Sequence, residues 1–166
     1  MKRWIGVDPG LGGAVAVLGE GEASGLLLTW DTPVTEVTKN GKKRREYEVP
    51  RMRSLLLEAA DVGRDHVLVL IEQSSPMPKE GVVSSWRSGF GTGLWHGLFV
   101  SLDLPFRVVH PAVWKKALGL TGRDKEAMRL EAQRRWPTAD LARKKDHGRA
   151  ESLFLAAYAR QLDVMT

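Results

Sequence analysis

Acidic residues that could bind divalent cations occur at three separated places in the sequence. Asp8 ends the apolar run that begins the chain, and Glu72 ends a second apolar run. A third group, near the carboxyl terminus, comprises Asp146, His147 and Glu151. Carboxylates that are brought together repel one another unless a cation lies between them, and hard ions such as Mg²⁺ and Mn²⁺ prefer oxygen ligands. The pattern therefore predicts metal-dependent phosphodiester hydrolysis, with two ions on either side of the scissile phosphate.

The sequence around each acid predicts how these side chains are positioned. Residues 2–8 and 67–72 are largely apolar runs that indicate buried β-strands, each ending on its acid. A carboxylate at the end of a buried strand is held by rigid backbone, and two such acids lie side by side if their strands are neighbours. His147 and Glu151 are four residues apart, so on a helix they share one face. A final helix that packs beside the strand ends would complete the cluster.

Most of these residues also have a simpler interpretation. Asp8 stands in an Asp-Pro-Gly sequence, which is common in turns. Asp146 could be the N-cap of the last helix, and His147 and Glu151 could be solvated surface residues. Glu72 is harder to dismiss because it ends five consecutive apolar residues. The joint placement of the residues, rather than any single position, favours a metal site.

The periodicity of the apolar residues predicts an α/β protein, with a mixed sheet and helices on its faces. We expect strands over residues 2–8, 14–18, 25–30, 67–72 and 106–109. We expect helices over residues 50–61, 82–102, 111–118, 124–136 and 148–162. The first three strands lack strict alternation, which indicates that both faces are buried. Asn40-Gly41 predicts a hairpin turn within an exposed basic arm, which is either solvated or in contact with phosphates.

Composition limits the class of protein. A chain of 166 residues suits one domain with a sizeable core, so we expect a single domain over residues 1–166. The absence of cysteine excludes disulfides and thiolate zinc sites. No apolar run reaches the ~18 residues of a membrane span and no signal peptide opens the chain, so we expect a cytoplasmic protein that does not enter a membrane. A net charge of +5 and a pI of about 9.7 favour a polyanionic partner such as nucleic acid.

Several motifs resemble those of the RuvC-type Holliday junction resolvases, which are RNase H-like nucleases, and especially the compact forms of phage genomes. The segments that carry the resemblance extend over nearly the whole chain: Ile5-Gly6-Val7-Asp8-Pro9-Gly10, Leu70-Ile71-Glu72-Gln73, His110-Pro111-Ala112-Val113-Trp114-Lys115-Lys116, Asp124-Lys125-Glu126-Ala127 and Lys145-Asp146-His147-Gly148-Arg149-Ala150-Glu151-Ser152-Leu153. The first segment is shared with sugar kinases and is weak alone, whereas the whole set is fairly specific.

The resemblance implies a mixed five-stranded RNase H-like sheet flanked by α-helices on both faces, and a homodimer without a small-molecule cofactor. It also implies Mg²⁺-dependent resolution of four-way DNA junctions by paired, symmetric nicks, with Mn²⁺ as a substitute and two ions in each active site. By position, Asp8 and Glu72 match the first two metal-binding acids, and Glu151 matches the last. Asp146 and His147 compete for the remaining ligand position.

Basic residues and one loop complete the expected DNA interface. Phosphate contacts are expected from cationic side chains along the chain: Lys42, Lys43, Arg44, Arg45, Lys115, Lys116, Lys125, Arg143, Lys144 and Lys145. Lys125 is equally well explained as a solvated lysine at a helix start. Related bacterial enzymes carry an aromatic wedge soon after the second acid, whereas this chain has Met77, for which a plain loop is the stronger interpretation. Trp86 and Phe90 are other wedge candidates, although core packing explains both at least as well.

The helix expected over residues 82–102 carries Gly89, Gly93 and Gly97 on one face, where the resembling family forms its dimer interface. A bare glycine face lets another backbone approach closely. A four-way junction has two-fold symmetry, so two equal cuts need two symmetric sites. The sequence therefore predicts a symmetric dimer.

Other functions are also compatible with the sequence. One is an RNase H-like nuclease that cuts other branched DNA or RNA–DNA hybrids. Another is a structure-specific DNA-binding protein without catalytic activity, whose acids only cap and bridge. A kinase-like phosphate-binding protein is the weakest alternative, because no second phosphate loop is visible.

Overall fold

The computed structural model describes residues 1–20, 25–60, 66–75 and 81–164. Seven strands lie within these ranges: β1 (Arg3–Asp8), β2 (Ala14–Gly19), β3 (Leu26–Asp31), β4 (Val34–Lys39), β5 (Lys42–Tyr47), β6 (Val67–Glu72) and β7 (Phe106–Val109). The same ranges contain five α-helices: α1 (Val49–Ala59), α2 (Val82–Ser101), α3 (Pro111–Ala117), α4 (Lys125–Arg135) and α5 (His147–Val164). A 3₁₀ turn, Lys144–Asp146, leads directly into α5.

Five strands form the central sheet, in the order β3-β2-β1-β6-β7. β1 is antiparallel to β2 and parallel to β6, so the sheet is mixed and the predicted α/β architecture is confirmed. The register pairs Val7 with Ile71. The residues that follow, Asp8 and Glu72, therefore lie at the same edge of the sheet, as expected for acids that end two neighbouring parallel strands.

Helices cover both faces of the sheet and divide the core into two clusters. One cluster joins the sheet to α4 and α5 through side chains that include Trp4 and Phe154. The other joins the sheet to α1 and α2 through Ile5, Met52 and Trp95. The neighbouring residues Trp4 and Ile5 enter opposite clusters, because side chains alternate between the faces of a strand. Burial on both faces holds the strand ends rigidly in place.

The last helix packs closely on the central strand because β1 has a glycine at the point of contact. A Cβ built on Gly6 would lie 2.0 Å from the carbonyl oxygen of Ser152 and 2.4 Å from the amide nitrogen of Ala156. A larger residue would therefore push α5 away from β1. Since α5 carries Glu151, Gly6 controls how closely that acid approaches the strand ends.

β4 and β5 form a separate two-stranded sheet, which we call the basic hairpin (residues 34–47). Its turn is Asn40-Gly41, where φ is 53° at Asn40 and 73° at Gly41, as a type I′ turn requires. The predicted hairpin turn is thus confirmed. Residues 42–45 are all exposed to solvent, so the basic side chains of this strand are accessible to a partner.

β3 differs from the expectation that it is buried on both faces. It is an edge strand in which Leu27 and Asp31 are exposed and the other residues are half-buried, because it has a neighbouring strand on one side only. Helix boundaries agree with the predictions within two residues, except that the predicted end of the first helix, Asp61, lies outside the described residues. No helix in the described ranges is long and apolar enough to cross a membrane.

Candidate active site

Asp8 stands where β1 enters a tight turn. The amide of Gly13 donates to the carbonyl oxygen of Gly10 at 2.9 Å, which closes the turn. A Cβ on Gly13 would lie 2.1 Å from the Asp8 carbonyl oxygen, so the return to β2 requires glycine. The Asp8 carboxylate accepts one long hydrogen bond, 3.5 Å, from the Gly10 amide. Burial, together with the charges of Glu151 and Glu72, raises the pKa of Asp8 to about 7.

Glu72 ends β6 beside Asp8 and is held by a tryptophan. The indole Nε1 of Trp114, in α3, donates to Glu72 Oε2 at 2.8 Å, and Trp114 is completely buried. Burial and the charge of Glu151 raise the pKa of Glu72 above its usual value, whereas the Trp114 hydrogen bond acts in the opposite direction. One oxygen of this carboxylate is therefore engaged by the protein.

Glu151 reaches the strand ends from the beginning of α5. A Cβ on Gly148 would lie 2.8 Å from the Gly12 carbonyl oxygen and 3.2 Å from Asp8 Oδ2, so a glycine lets the start of α5 pack against the turn after β1. The side chain of Glu151 is only 14% exposed, and its Oε1 lies 3.9 Å from Lys115 Nζ. β1, β6 and α5 thus each contribute one acid to a common region, which we call the acid cluster (Asp8, Glu72 and Glu151).

The acid cluster combines like charges with burial, and each of these disfavours the ionised carboxylates. A divalent cation among them would offset the repulsion, and three carboxylates are a donor set that suits Mg²⁺ or Mn²⁺. In the described part of the chain, no three His, Asp or Glu side chains form a group that could hold an ion as they stand. The cluster therefore fits a hard cation by its chemistry, and binding would have to draw the side chains closer together.

The two residues that compete for the remaining ligand position have different environments. Asp146 is buried; its Oδ1 accepts from Arg143 Nε at 2.9 Å and its Oδ2 accepts from the Arg143 amide at 2.7 Å. Although burial acts to raise it, these hydrogen bonds lower the pKa of Asp146. Asp146 thus closes the 3₁₀ turn before α5. His147 is half-buried at the first position of α5, with Nδ1 3.4 Å from the Lys144 carbonyl oxygen.

The lysines expected to contact DNA differ in how close they lie to the acids. Lys115 lies against Glu151, and its Nζ is also 5.1 Å from the centroid of the Trp114 ring. Lys125, at the start of α4, is exposed yet near enough to Asp8 to oppose the effect of burial on the pKa of that acid. The other predicted contacts from this half of the chain are exposed: Lys116, Arg143, Lys144 and Lys145.

An open pocket of about 410 Å³ lies over the edge of the sheet where β1 and β6 end. Its lining includes Asp8 and Glu72, with Ser74, Ser88 and His110 around them. Asp8 and Glu72 are therefore accessible to a ligand from this side. Met77, the loop residue considered as a wedge, lies outside the described residues.

A second depression, of about 380 Å³, lies between the basic hairpin and α2. Trp86 and Phe90 stack there with ring centroids 5.2 Å apart, and they are 64% and 49% exposed. Core packing therefore does not explain these two aromatic residues. The arginines of this depression form no ion pair within the described ranges. We call it the basic–aromatic groove, with the lining residues Arg44, Arg45, Tyr47, Trp86, Arg87 and Phe90.

Tyr47 connects the groove to the acid cluster. Its hydroxyl donates to the carbonyl oxygen of Pro9 at 3.2 Å, one residue after Asp8. A Cβ on Gly91 would lie 2.0 Å from the same hydroxyl oxygen, so α2 has a glycine where the tyrosine passes. Burial, followed by the charge of Asp8, raises the pKa of Tyr47. The two regions are thus adjacent parts of one surface.

Three residues of the site were not identified from the sequence: Trp114, Tyr47 and Gly148. Trp114 lies in the segment 110–116, whose lysines alone were assigned a role. A tryptophan on a short helix with two following lysines is a signal that could have drawn attention to it. Tyr47 and Gly148 have no such signal, because their importance depends on contacts with residues far away in the sequence.

Comparisons with known proteins support the resemblance that the motifs indicated. The chloroplastic Holliday junction resolvase MOC1 of Chlamydomonas reinhardtii is 29% identical over 151 residues, which cover 80% of this chain. The match spans 17% of the length of that relative. No family model matches the chain.

Two solved structures are similar to the whole chain. RuvC of T. thermophilus in complex with a Holliday junction substrate has a TM-score of 0.64 and 21% identity, covering 97% of this chain and 96% of its own. A second Thermus thermophilus RuvC structure has a TM-score of 0.54 and 18% identity, covering 96% of each chain. The fold is therefore that of RuvC, and the prediction of an RNase H-like sheet flanked by helices is confirmed.

Proposed function

We propose that this protein is a structure-specific endodeoxyribonuclease that acts in the cytoplasm and resolves four-way DNA junctions by paired, symmetric hydrolysis of phosphodiesters. The observation that carries the proposal is the convergence of Asp8, Glu72 and Glu151 at one edge of a sheet with the RuvC fold. Buried carboxylates that raise one another's pKa are costly to the fold, and such groups concentrate at functional sites. Similarity to a curated resolvase supports the same activity.

The acid cluster would bind Mg²⁺, with Mn²⁺ as a substitute and two ions in each site. When bound, such ions activate a water molecule and stabilise the leaving oxygen of an in-line displacement. The protein holds the three carboxylates on two strands and one helix, so their backbones are rigid. Lys125 lies near Asp8 and Lys115 lies near Glu151, where their charges would help to neutralise the phosphate.

We propose His147 rather than Asp146 as the fourth ligand. His147 lies one helical turn before Glu151, on the same face of α5, and is accessible. Both oxygens of Asp146 already accept hydrogen bonds from Arg143, and ion binding would have to break them. A histidine ligand must lose its proton before it binds a metal, which would make activity sensitive to pH near neutrality.

The basic–aromatic groove supports a role in DNA binding. Its arginines would contact phosphates, and such contacts are salt-sensitive and carry little sequence information. The stacked pair Trp86 and Phe90 offers a flat exposed surface on which an unpaired base at the branch point would stack. We therefore propose this pair, rather than Met77, as the junction wedge.

The glycine face of α2 supports a homodimer. A Cβ placed on Gly89, Gly93 or Gly97 would meet no atom within 4 Å, so this face is open to the helix of a second copy. A dimer would present two acid clusters to the two symmetric strands of a junction. Gly93→Trp should block this contact and give a monomer by light scattering, together with loss of paired cutting.

The decisive experiment is cleavage of an immobile four-way junction with each strand labelled in turn. Mg²⁺, Mn²⁺, Ca²⁺ and a chelator are compared, and both cut positions are mapped. We expect two symmetric nicks that require Mg²⁺ or Mn²⁺. A flap, a linear duplex and an RNA–DNA hybrid are tested in parallel, because a broader nuclease would cut one of these as well as it cuts the junction.

Two glutamate substitutions accompany the experiment, one at the proposed site and one as its matched control. Glu72→Gln should abolish cleavage, whereas Glu58→Gln, an exposed position on α1, should leave it unchanged. Junction binding by the wild-type protein without cleavage in any metal would instead identify a non-catalytic binding protein. Efficient cleavage by Glu72→Gln would refute the proposed chemistry.

A further inference from the structure

The buried indole of Trp114 touches the acid cluster without belonging to it. Its Nε1 donates to Glu72 Oε2 at 2.8 Å, and the residue is completely buried. The bond joins residues 42 positions apart, on α3 and β6. It therefore depends on the docking of α3 rather than on local sequence.

Packing around the indole restricts the direction of its N–H group. The ring stacks on Phe154 of α5, with centroids 6.4 Å apart and an angle of 20° between the planes. Lys115 Nζ lies 5.1 Å from the ring centroid and 3.9 Å from Glu151 Oε1. The helix α3 thus contacts two of the three acids through consecutive residues, and the indole has little freedom to turn away from Glu72.

A second buried tryptophan shows that burial of an indole does not by itself create such a hydrogen bond. Trp95 of α2 is also completely buried, in the core cluster on the opposite face of the sheet. Its indole nitrogen has no hydrogen-bond partner in the described part of the chain. Buried indole N–H groups usually find an acceptor, whereas the core of this protein tolerates the Trp95 indole without one. The acceptor beside Trp114 is the proposed metal ligand.

We propose that Trp114 is a positioning residue that holds Glu72 in the orientation required for cation binding and hydrolysis. For the activity, this inference rests on the proposed function. The hydrogen bond engages Oε2 and leaves Oε1 available to an ion. It also restricts rotation of the carboxylate, so less conformational entropy is lost when an ion binds. The tryptophan itself touches neither the ion nor the DNA.

The first test compares Trp114→Phe with Trp95→Phe and uses Mn²⁺ alone as the probe. Both substitutions remove an indole from a fully buried position and leave a phenyl ring, so the loss of packing should be similar, whereas only Trp114→Phe also removes a hydrogen bond. Loss of an outer-shell hydrogen bond typically weakens metal binding 10–100-fold. We expect Trp114→Phe to weaken Mn²⁺ binding about tenfold by calorimetry, and Trp95→Phe to leave it unchanged.

A double-mutant cycle tests whether the effect passes through Glu72. In a Glu72→Gln background, adding Trp114→Phe should produce no further loss of Mn²⁺ affinity, because the ligand that the indole orients is already gone. On junction DNA, Trp114→Phe should lower kcat about tenfold with little change in KM, since the groove that binds DNA is intact.

A measurement on the wild-type protein does not depend on how any variant folds. Of the six tryptophan indole N–H resonances, that of Trp114 should shift during an Mg²⁺ titration, whereas that of Trp95 should not. A Trp114 signal that stays fixed while Mg²⁺ binds would overturn the inference. So would equal Mn²⁺ affinities for Trp114→Phe and Trp95→Phe. If the wild-type protein binds Mn²⁺ as predicted but cuts no DNA, the proposed function fails while the positioning role stands.

Discussion

The acid cluster and the basic–aromatic groove are neighbours, but they are built in opposite ways. The acid cluster consists of half-buried carboxylates on the ends of β1 and β6 and on α5. The groove has exposed arginines on a separate hairpin and on α2. Tyr47 lies between them: its hydroxyl donates a hydrogen bond to the Pro9 carbonyl oxygen, and its side chain lines the groove. One region thus has charges partly removed from water, and the other keeps its charges in water.

This difference corresponds to two physical requirements. Chemistry needs groups whose positions and pKa values are controlled, and burial on rigid elements provides both. Recognition of DNA as a polyanion needs long-range attraction and must tolerate many DNA sequences. Exposed arginines meet both needs, but the attraction weakens as the salt concentration rises. Substitutions in the acid cluster should therefore have large, local effects, and those in the groove should have small, salt-dependent effects.

The largest effect should follow from removing one charge of the acid cluster. Asp8→Asn keeps the shape of the side chain and loses a proposed ligand, so we expect cleavage to fall more than about 100-fold, beyond the typical effect of an outer-shell partner. Junction binding in a gel-shift assay should persist, because the arginines of the groove are unchanged. Loss of binding together with cleavage would show that the two regions are not functionally separate.

The next effect concerns stability and pH in the absence of metal. The pKa of Asp8 is raised from 3.8 to about 7, so between these values the folded protein holds a proton that the unfolded chain has lost. Stability should therefore fall as pH rises through this window, by roughly 4 kcal/mol at most from Asp8. Urea unfolding at pH values from 4 to 8, with a chelator present, measures this change in the free energy of unfolding.

Two comparisons isolate the contribution of Asp8 to the pH dependence of stability. Asp8→Asn should be less dependent on pH than the wild-type protein and more stable than it at pH 8. Saturating Mg²⁺ should raise the stability of the wild-type protein at pH 8 and leave that of Asp8→Asn nearly unchanged. Identical pH profiles for the two proteins would mean that Asp8 is not held in a buried, like-charged environment.

An intermediate effect is expected where α5 meets the turn after β1. Gly148→Ala adds a Cβ 2.8 Å from the Gly12 carbonyl oxygen, so the start of α5 has to move. We expect a loss of about 1–3 kcal/mol in the free energy of unfolding, together with reduced cleavage because Glu151 moves too. In the monomeric Gly93→Trp variant, Gly89→Ala adds a Cβ that meets nothing within 4 Å and should instead stabilise by up to about 1 kcal/mol.

The smallest effect is expected from single charges of the groove. Arg44→Ala or Arg45→Ala should weaken junction binding a few-fold and lower the slope of log affinity against log salt by about one. The cleavage rate at saturating DNA should not change. Lys2→Ala is the control, because Lys2 pairs with Asp163 at the opposite end of β1 from Asp8. If Lys2→Ala changed the slope of log affinity against log salt by the same amount, DNA would be attracted by the overall charge of the protein rather than by the groove.

The elements of the fold were predictable where local chemistry decides them. β7 has the predicted bounds, and the Asn40-Gly41 turn has the expected positive φ values. The edge position of β3 was not predictable, because whether a strand has one or two neighbours depends on the order of the strands in the sheet. The exposure of Trp86 and Phe90 was not predictable either, since two aromatic residues four positions apart can lie on the buried face or on the exposed face of a helix.

The sequence by itself determined which residues can do chemistry and that two acids end apolar strands, because residue type and short-range periodicity are local properties. Tertiary structure alone decided which residues support them. Trp114 engages Glu72 from 42 residues away, and Tyr47 reaches the Pro9 carbonyl oxygen from 38 residues away. Those pairings follow from how α3 and the basic hairpin dock on the sheet. Docking depends on close contacts such as that of Gly6 with α5, which no local pattern encodes.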